Sequence, residues 1–171
     1  MSILFLGSSI IRKWNTETAF HNSINLGISG ITSSQLTKVY SHIFDTSHSS
    51  TICDIVLYCG SNDFNDGNAT FGSTVANIIE FIFYLHSHFP KTSIYYIGII
   101  KSPDRTPATI KMIDVCNREM KKWIKTVDYV QYITTTTIVS SHNHFRKDGR
   151  HLTKAGYTVL ERLVYSKLLQ P

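Results

Sequence analysis

Cysteine is scarce in this 171-residue sequence, and no long hydrophobic run occurs in it. The three cysteines, Cys53, Cys59 and Cys116, are odd in number and widely spaced among apolar residues. This pattern argues against a disulfide framework and predicts buried free thiols in a reducing compartment. No apolar stretch approaches the roughly 20 residues that span a bilayer, and no basic region precedes the first apolar residues. We therefore expect a cytoplasmic protein without a membrane span.

Charged residues are also few, at 17% of the chain against 42% hydrophobic residues. This balance is typical of a folded globular protein and argues against an intrinsically disordered one. The chain contains no internal repeat, linker or low-complexity segment. We therefore expect one domain over residues 1–171.

The charges are unevenly distributed along the chain. Residues 1–100 carry four Lys/Arg and six Asp/Glu, whereas residues 101–171 carry thirteen and six. An anionic partner would explain this excess. However, the basic residues between 111 and 125 interleave with apolar residues at helical spacing, which is typical of the solvated side of an amphipathic helix. No nucleic-acid-binding motif is recognisable, and we expect no nucleic-acid partner.

Two kinds of apolar pattern alternate along the chain. Short continuous runs rich in Ile, Val, Tyr and Phe predict strands buried on both faces, at 2–6, 23–26, 54–58, 93–100 and 129–133. Longer segments with helical spacing predict helices at 32–44, 73–89, 108–126 and 153–169. This alternation predicts an α/β fold, a three-layer sandwich of flavodoxin size with five parallel strands. The pattern leaves the strand order open, and the first crossover, 8–22, looks irregular.

Glycine and small polar residues follow the predicted strands where a site could form. They lie at 7–9, 27–30 and 60–63, and a further segment at 148–151 precedes the last helix. In open α/β sheets, ligands bind beside the carboxyl ends of the strands. These four segments therefore form the candidate site.

The residue types in these segments favour serine-based ester chemistry. A serine nucleophile needs a base, and histidine suits that role at neutral pH. Asp148 and His151 lie three apart around a glycine, so one tight loop could pair them. Backbone N–H groups and a side-chain amide could bind the oxyanion, and Gly30, Asn62 and the N–H of Ser9 are the candidates. We expect Asn62 to matter for the rate and little for folding.

Four blocks of this sequence resemble those of the SGNH hydrolase superfamily, the GDSL-type lipases and esterases. The blocks are FLGSSI at 5–10, NLGISG at 25–30, GSND at 60–63 and DGRH at 148–151, in the order of the family. The Gly-x-Ser-x-Gly pentapeptide of α/β-hydrolases is absent. The resemblance implies a flavodoxin-like α/β/α sandwich with a five-stranded parallel sheet, for which we predict the order 2-1-3-4-5. It also implies that no metal or organic cofactor is needed.

The same resemblance implies the roles of individual residues. Ser9 is the nucleophile, His151 is the base and Asp148 orients the base. Ser9, Gly30 and Asn62 together form the oxyanion hole. These assignments follow from the match of each residue to its block.

One residue departs from the pattern of the family. Ser8 replaces the Asp that often stands in the first block, so two serines are adjacent. We assign the nucleophile to Ser9, the third residue of the block. Asp63 is expected to hold its loop through backbone N–H groups, and His142 and His144 lack further ligands at a convincing spacing for a metal.

Two functions remain open from the sequence. The first is a serine esterase that hydrolyses a short-chain acyl or acetyl ester of a small molecule or glycan, with acyl transfer as a variant of the same chemistry. The second is a non-catalytic, flavodoxin-like module in which residues 7–16 cradle a phosphate or nucleotide. The second function leaves Asp148 and His151 unexplained. The residues that bind the rest of the substrate are unknown from the sequence.

Overall fold

The computed structural model describes residues 2–44, 51–65, 69–139 and 142–169, and five strands in them form one parallel sheet. The strands are β1 (Ser2–Gly7), β2 (Ser23–Asn25), β3 (Ile52–Tyr58), β4 (Ser93–Ile97) and β5 (Val130–Ile133). Their order, β2-β1-β3-β4-β5, confirms the predicted 2-1-3-4-5. The chain leaves β1 toward one neighbour and later returns to its other side. The carboxyl ends of β1, β2 and β3 therefore surround the topological switch point.

Helices connect the strands on both faces of the sheet. Within the described residues they are α1 (Ser9–Arg12), α2 (Thr16–Ala19), α3 (Leu36–Tyr40), α4 (Phe71–His88), α5 (Pro107–Ile124) and α6 (Lys154–Leu168). Short 3-10 helices span Ser33–Gln35 and Asn62–Phe64. The three long helices begin where a threonine hydroxyl accepts a backbone N–H of the first turn, at Thr70, Thr106 and Thr153.

Alternate residues of the central strands enter two separate cores. In β3, Ile55 and Leu57 pack into the core under α3, α4 and α5, whereas Val56 and Tyr58 pack into the core under α1, α2 and α6. Successive side chains of a strand point to opposite faces, so a strand covered on both sides must be apolar throughout. This arrangement explains the continuous apolar runs and confirms the three-layer architecture.

The structure differs from the sequence prediction in its short elements. β2 lies at the edge of the sheet and Ile24 is 39% exposed, so the prediction of burial on both faces is wrong for this strand. The predicted helix at 32–44 is a 3-10 turn followed by the five residues of α3. The irregular crossover contains α1 and α2, which have four residues each. Elements of this length are too short to show a helical period.

The cysteines and α5 agree with their predictions, except that Cys53 is only partly buried. All three cysteines are free; Cys59 and Cys116 are buried and Cys53 is partly buried. On α5 the apolar positions Ile113 and Met120 are buried, while the lysines and the arginine between 111 and 125 are exposed. This confirms an amphipathic helix.

No helix in the described part of the chain is both long and apolar enough to cross a membrane.

Candidate active site

β1 ends at a glycine that the packing of the sheet requires. Gly7 has a φ of +128°, and a Cβ at this position would lie 1.8 Å from the carbonyl oxygen of Tyr58 on β3. The Gly7 N–H donates to the hydroxyl of Tyr40 over 3.0 Å, and this hydroxyl donates to the carbonyl of Leu26 over 2.8 Å. Tyr40 of α3 therefore joins the ends of β1 and β2, and the chain turns into α1 directly beyond this point.

Ser9, His151 and Asp148 form one continuous hydrogen-bonded series. His151 Nε2 lies 3.2 Å from Ser9 Oγ, and His151 Nδ1 lies 2.6 Å from Asp148 Oδ2. The other carboxylate oxygen, Oδ1, accepts the backbone N–H groups of Arg150 and His151, both over 2.9 Å. The structure thus brings together the three residues that the sequence assigned to nucleophile, base and orienting partner.

Hydrogen bonds determine the charge state of Asp148. The bond from the His151 side chain, followed by the backbone N–H groups of His151 and Arg150, holds the pKa of Asp148 below its usual range. Asp148 is therefore an ionised acceptor at neutral pH. An acceptor facing Nδ1 keeps the proton of neutral imidazole on Nδ1 and the lone pair on Nε2, toward Ser9. This is the tautomer that a general base requires.

The two adjacent serines occupy different surroundings. Ser8 is 0% exposed, and its Oγ has no hydrogen-bond partner among the described residues. The Ser8 N–H donates to the carbonyl of Tyr58 over 2.9 Å, which fixes the start of α1 against β3. Of the two hydroxyls, that of Ser9 meets the imidazole of His151.

The two remaining oxyanion candidates follow β2 and β3. Gly30 is exposed with a φ of +82°, and a Cβ there would meet open space. Asn62 is 8% exposed, and its Nδ2 donates to the carbonyl of Ile31 over 2.9 Å. In the described part of the chain, neither Gly30 nor Asn62 hydrogen-bonds to Ser9; instead, Asn62 holds the loop of Gly30. This hydrogen bond argues against the expectation that Asn62 matters little for folding, because the amide satisfies a buried carbonyl.

Asp63 fixes the same loop from a second position. Its carboxylate accepts the backbone N–H of Ser33 at 3.2 and 3.0 Å through its two oxygens, and it also accepts the Ser33 hydroxyl. Asn77 of α4 donates to Ser33 Oγ over 3.1 Å. Asp63 therefore holds a loop, as expected, but it binds one backbone N–H and one hydroxyl of the loop after β2 rather than several N–H groups of its own loop. The loop after β2 is thus attached to the loop after β3 at two points.

Asp104 lies in the loop after β4, a segment that from the sequence could either line a substrate pocket or be a plain loop. Asp104 Oδ2 accepts Arg150 Nε and Nη2 at 2.8 and 2.7 Å, and the Asp104 N–H donates to the carbonyl of Gly149 over 3.3 Å. Burial raises the pKa of Asp104, but hydrogen bonds from Ser102 and Arg150 outweigh it and lower the pKa overall. The loop that carries His151 is therefore fastened to the loop after β4.

His142 and His144 lie outside this series. The Nδ1 atom of the buried His144 accepts the backbone N–H of Val139 over 3.0 Å, and the rings of His142 and His144 lie 5.5 Å apart. Across the described ranges, no group of three or more His, Cys, Asp or Glu side chains could hold a metal ion. That the protein needs no metal stays a prediction.

No protein-family model matches the chain, and no curated protein matches its sequence. Solved structures match almost its full length. A GDSL-like lipase from Bacteroides thetaiotaomicron is 21% identical with a TM-score of 0.76, over 97% of this chain and 86% of that one. A member of the lipolytic G-D-S-L family from Veillonella parvula is 15% identical with a TM-score of 0.79, over 97% of both chains. The chain has the SGNH/GDSL hydrolase fold.

A third structure with this fold is an acetyl-xylooligosaccharide esterase from Geobacillus Stearmophilus. It is 13% identical, with a TM-score of 0.79 over 99% of this chain and 94% of that one. Because the chain covers most of each of these proteins, the SGNH/GDSL fold accounts for the whole described structure. At identities below 25%, this conclusion concerns the fold alone.

Proposed function

We propose that the protein is a serine ester hydrolase and that residues 1–171 act as one SGNH-hydrolase-like domain. Ser9 Oγ attacks the carbonyl carbon of an ester while its proton passes to His151 Nε2. The tetrahedral intermediate collapses, and the leaving alkoxide takes that proton from Nε2 as the C–O bond breaks. Water then gives a proton to Nε2 and attacks the acyl-serine. The carboxylic acid leaves and Ser9 recovers its proton.

One observation carries this proposal: the uninterrupted series from Ser9 Oγ through both nitrogens of His151 to Asp148. A capping serine or a solvated loop histidine does not require this arrangement. The ionised Asp148 stabilises the imidazolium that forms when His151 takes the proton of Ser9. The fold shared with GDSL-like lipases and an acetyl-xylooligosaccharide esterase supports the same chemistry.

The oxyanion hole in this proposal consists of the N–H groups of Ser9 and Gly30 and the side-chain amide of Asn62. One Nδ2 proton of Asn62 is committed to the carbonyl of Ile31, and the second remains for the substrate. Both loops are fixed before the substrate arrives, which favours catalysis because the donors need no reorganisation.

The substrate we propose is a short-chain acyl or acetyl ester of a small molecule or a glycan. A chain of 171 residues that forms a five-stranded sheet with helices on both faces leaves few residues for a lid or a long acyl tunnel. Transfer of the acyl group to an alcohol uses the same residues as hydrolysis, so the choice of acceptor is an experimental question. The three free thiols fit the expected cytoplasmic location.

A fluorophosphonate probe tests the proposal directly. Intact mass after incubation should report one adduct on the native protein and on the matched Ser8→Ala variant. The adduct should be absent from Ser9→Ala and form much more slowly on His151→Ala. A native protein that is folded but unlabelled would contradict the proposal and favour a non-catalytic binding module, and absorbance by bound nucleotide or flavin would then be sought.

A further inference from the structure

Arg105 joins the loop after β4 to the loop that carries Asn62. Its side chain is only 6% exposed, and its Nη1 and Nη2 atoms donate to Asn65 Oδ1 and the carbonyl of Ser61, both over 2.8 Å. Burial lowers the pKa of Arg105, but a guanidinium remains protonated at any pH at which the protein is folded. The guanidinium of Arg105 therefore binds Ser61 and Asn65, the residues on either side of the 3-10 helix that begins with Asn62.

The hydrogen bonds from Arg105 continue to Asn62 itself. Asn65 Nδ2 donates to Asn62 Oδ1 over a long 3.4 Å, and Asn62 Nδ2 donates to the carbonyl of Ile31 over 2.9 Å. The series Arg105, Asn65, Asn62, Ile31 thus runs in one direction, with each residue donating to the next.

The two ends of this series determine its direction. A guanidinium has only donors, so Asn65 must turn its oxygen to Arg105 and its NH2 group to Asn62. A backbone carbonyl only accepts, so the amide of Asn62 must turn its nitrogen to Ile31. The oxygen and nitrogen of an amide have nearly the same size, so packing alone selects its orientation weakly. Hydrogen bonding from Arg105, through Asn65, selects the same orientation of the Asn62 amide as the carbonyl of Ile31 does, so both ends of the series hold it.

We propose that Arg105 is a positioning residue that acts through Asn65 to keep the N–H of Asn62, rather than its carbonyl oxygen, directed at the substrate. This inference rests on the proposed function, in which Asn62 binds the oxyanion. A reversed amide would present a partial negative charge to the developing oxyanion and would oppose the reaction. Arg105 itself need not touch the substrate.

Asp104, the residue before Arg105, attaches the loop after β4 to a second segment. Asp104 binds Arg150 and the backbone of Gly149, on either side of which lie Asp148 and His151. The loop after β4 therefore contacts both the segment of the base and the segment of the oxyanion donor. Arg105 and Asp104 also form an ion pair, with Nε and Oδ1 3.8 Å apart.

A double-mutant cycle tests whether Arg105 acts through Asn62. Arg105→Met keeps an unbranched apolar stem in place of the aliphatic part of the side chain and removes its donors. With p-nitrophenyl acetate, we expect kcat to fall at least about 10-fold and at most by the 10²–10³-fold that loss of an oxyanion donor costs, and KM to change little. In an Asn62→Ala background, Arg105→Met should cause no further loss. Arg105→Lys should recover part of kcat, because one donor returns.

Controls separate this inference from stability and from the proposed function. Arg118→Met, at an exposed position on α5, should leave kcat unchanged. If Arg105→Met does not fold, Asn65→Leu replaces it, because this change breaks the series but leaves the guanidinium in place. Asn65→Leu should lower kcat by the same factor, and it should cause no further loss in the Asn62→Ala background. Equal losses in both backgrounds, or native kcat in the single variants, would overturn the role of Arg105. An unlabelled native protein would instead overturn the proposed function.

Discussion

His151 Nε2 lies 3.2 Å from Ser9 Oγ, across 142 residues of sequence. α1 and α6 pack on the same face of the sheet, and the hydroxyl of Tyr157 on α6 donates to the carbonyl of Ile10 on α1 over 2.9 Å. His151 stands shortly before α6, and Ser9 begins α1. The contact between these two helices therefore contributes to the separation of the base from the nucleophile.

Replacing Tyr157 by Phe should weaken this contact without removing the ring, which stacks on Trp14 at a centroid distance of 5.8 Å. We expect the free energy of unfolding to fall by about 1 kcal/mol, the typical net contribution of one hydrogen bond. We also expect kcat to fall, because α6 can shift relative to Ser9. Urea denaturation and steady-state kinetics measure both. Tyr165→Phe, which removes a more exposed hydroxyl from the same helix, is the matched control and should have the smaller effect on kcat.

Replacing Asp148 by Asn should lower kcat by on the order of 10³–10⁴-fold. The amide can still accept the backbone N–H groups, but its NH2 group would face Nδ1 and drive the proton to Nε2. Labelling by the fluorophosphonate should slow in parallel. Because hydrogen bonds hold the pKa of Asp148 below its usual range, this residue should not cause any acid loss of activity between pH 7 and 5. Native kcat in Asp148→Asn would contradict the assigned role.

Replacing Asn62 by Ala should affect both rate and stability. Loss of one oxyanion donor should lower kcat by about 10²–10³-fold with a small change in KM. Loss of the bond to the carbonyl of Ile31 should lower the free energy of unfolding by about 1–3 kcal/mol. Asn77→Ala, which removes an amide from the adjacent α4, should have a much smaller effect on kcat. If the two variants had equal kcat, Asn62 would have no special part in the reaction.

Two glycines of the site should respond differently to alanine. Gly7→Ala would force a Cβ to within 1.8 Å of the carbonyl oxygen of Tyr58, so we expect a loss of more than about 4 kcal/mol or failure to fold. Gly30→Ala meets open space, and only its positive φ opposes the change, at about 1–2 kcal/mol. Urea denaturation of the two variants checks this order. A Gly7→Ala protein as stable as Gly30→Ala would contradict the contact between β1 and β3.

Replacing Asp104 by Asn should reveal a pH-dependent part of the stability. The pKa of Asp104 is lower in the folded protein than its ordinary value near 4, so its contribution is complete above that value. The contribution is lost as the pH falls through the lower folded pKa. We expect the native protein to exceed Asp104→Asn by on the order of 1 kcal/mol at pH 7. Denaturation at several pH values should find that this difference shrinks below pH 4; a constant difference would contradict the pairing with Arg150.

The five strands and the three long helices were accessible from the sequence, and the short helices were not. Long amphipathic segments such as 73–89 and the buried run 54–58 correspond to α4 and β3 within a few residues. The edge position of β2 was not visible, because exposure of a strand depends on which neighbours the sheet supplies. The four blocks marked the segments that meet at the site, and the hydrogen bonds between those segments required coordinates.

By itself, the sequence determined the layers of this protein and the chemical groups available at the ends of its strands. Both follow from local patterns, because burial imposes a period of two or of 3.6 residues on neighbouring positions. The tertiary structure decided which serine meets His151, how the amide of Asn62 is oriented, and that Asp104 and Arg105 contact the segments that carry His151 and Asn62. Each of these depends on hydrogen bonds between loops far apart in the chain. Their distances and angles are determined only when the sheet and both helical layers are packed together.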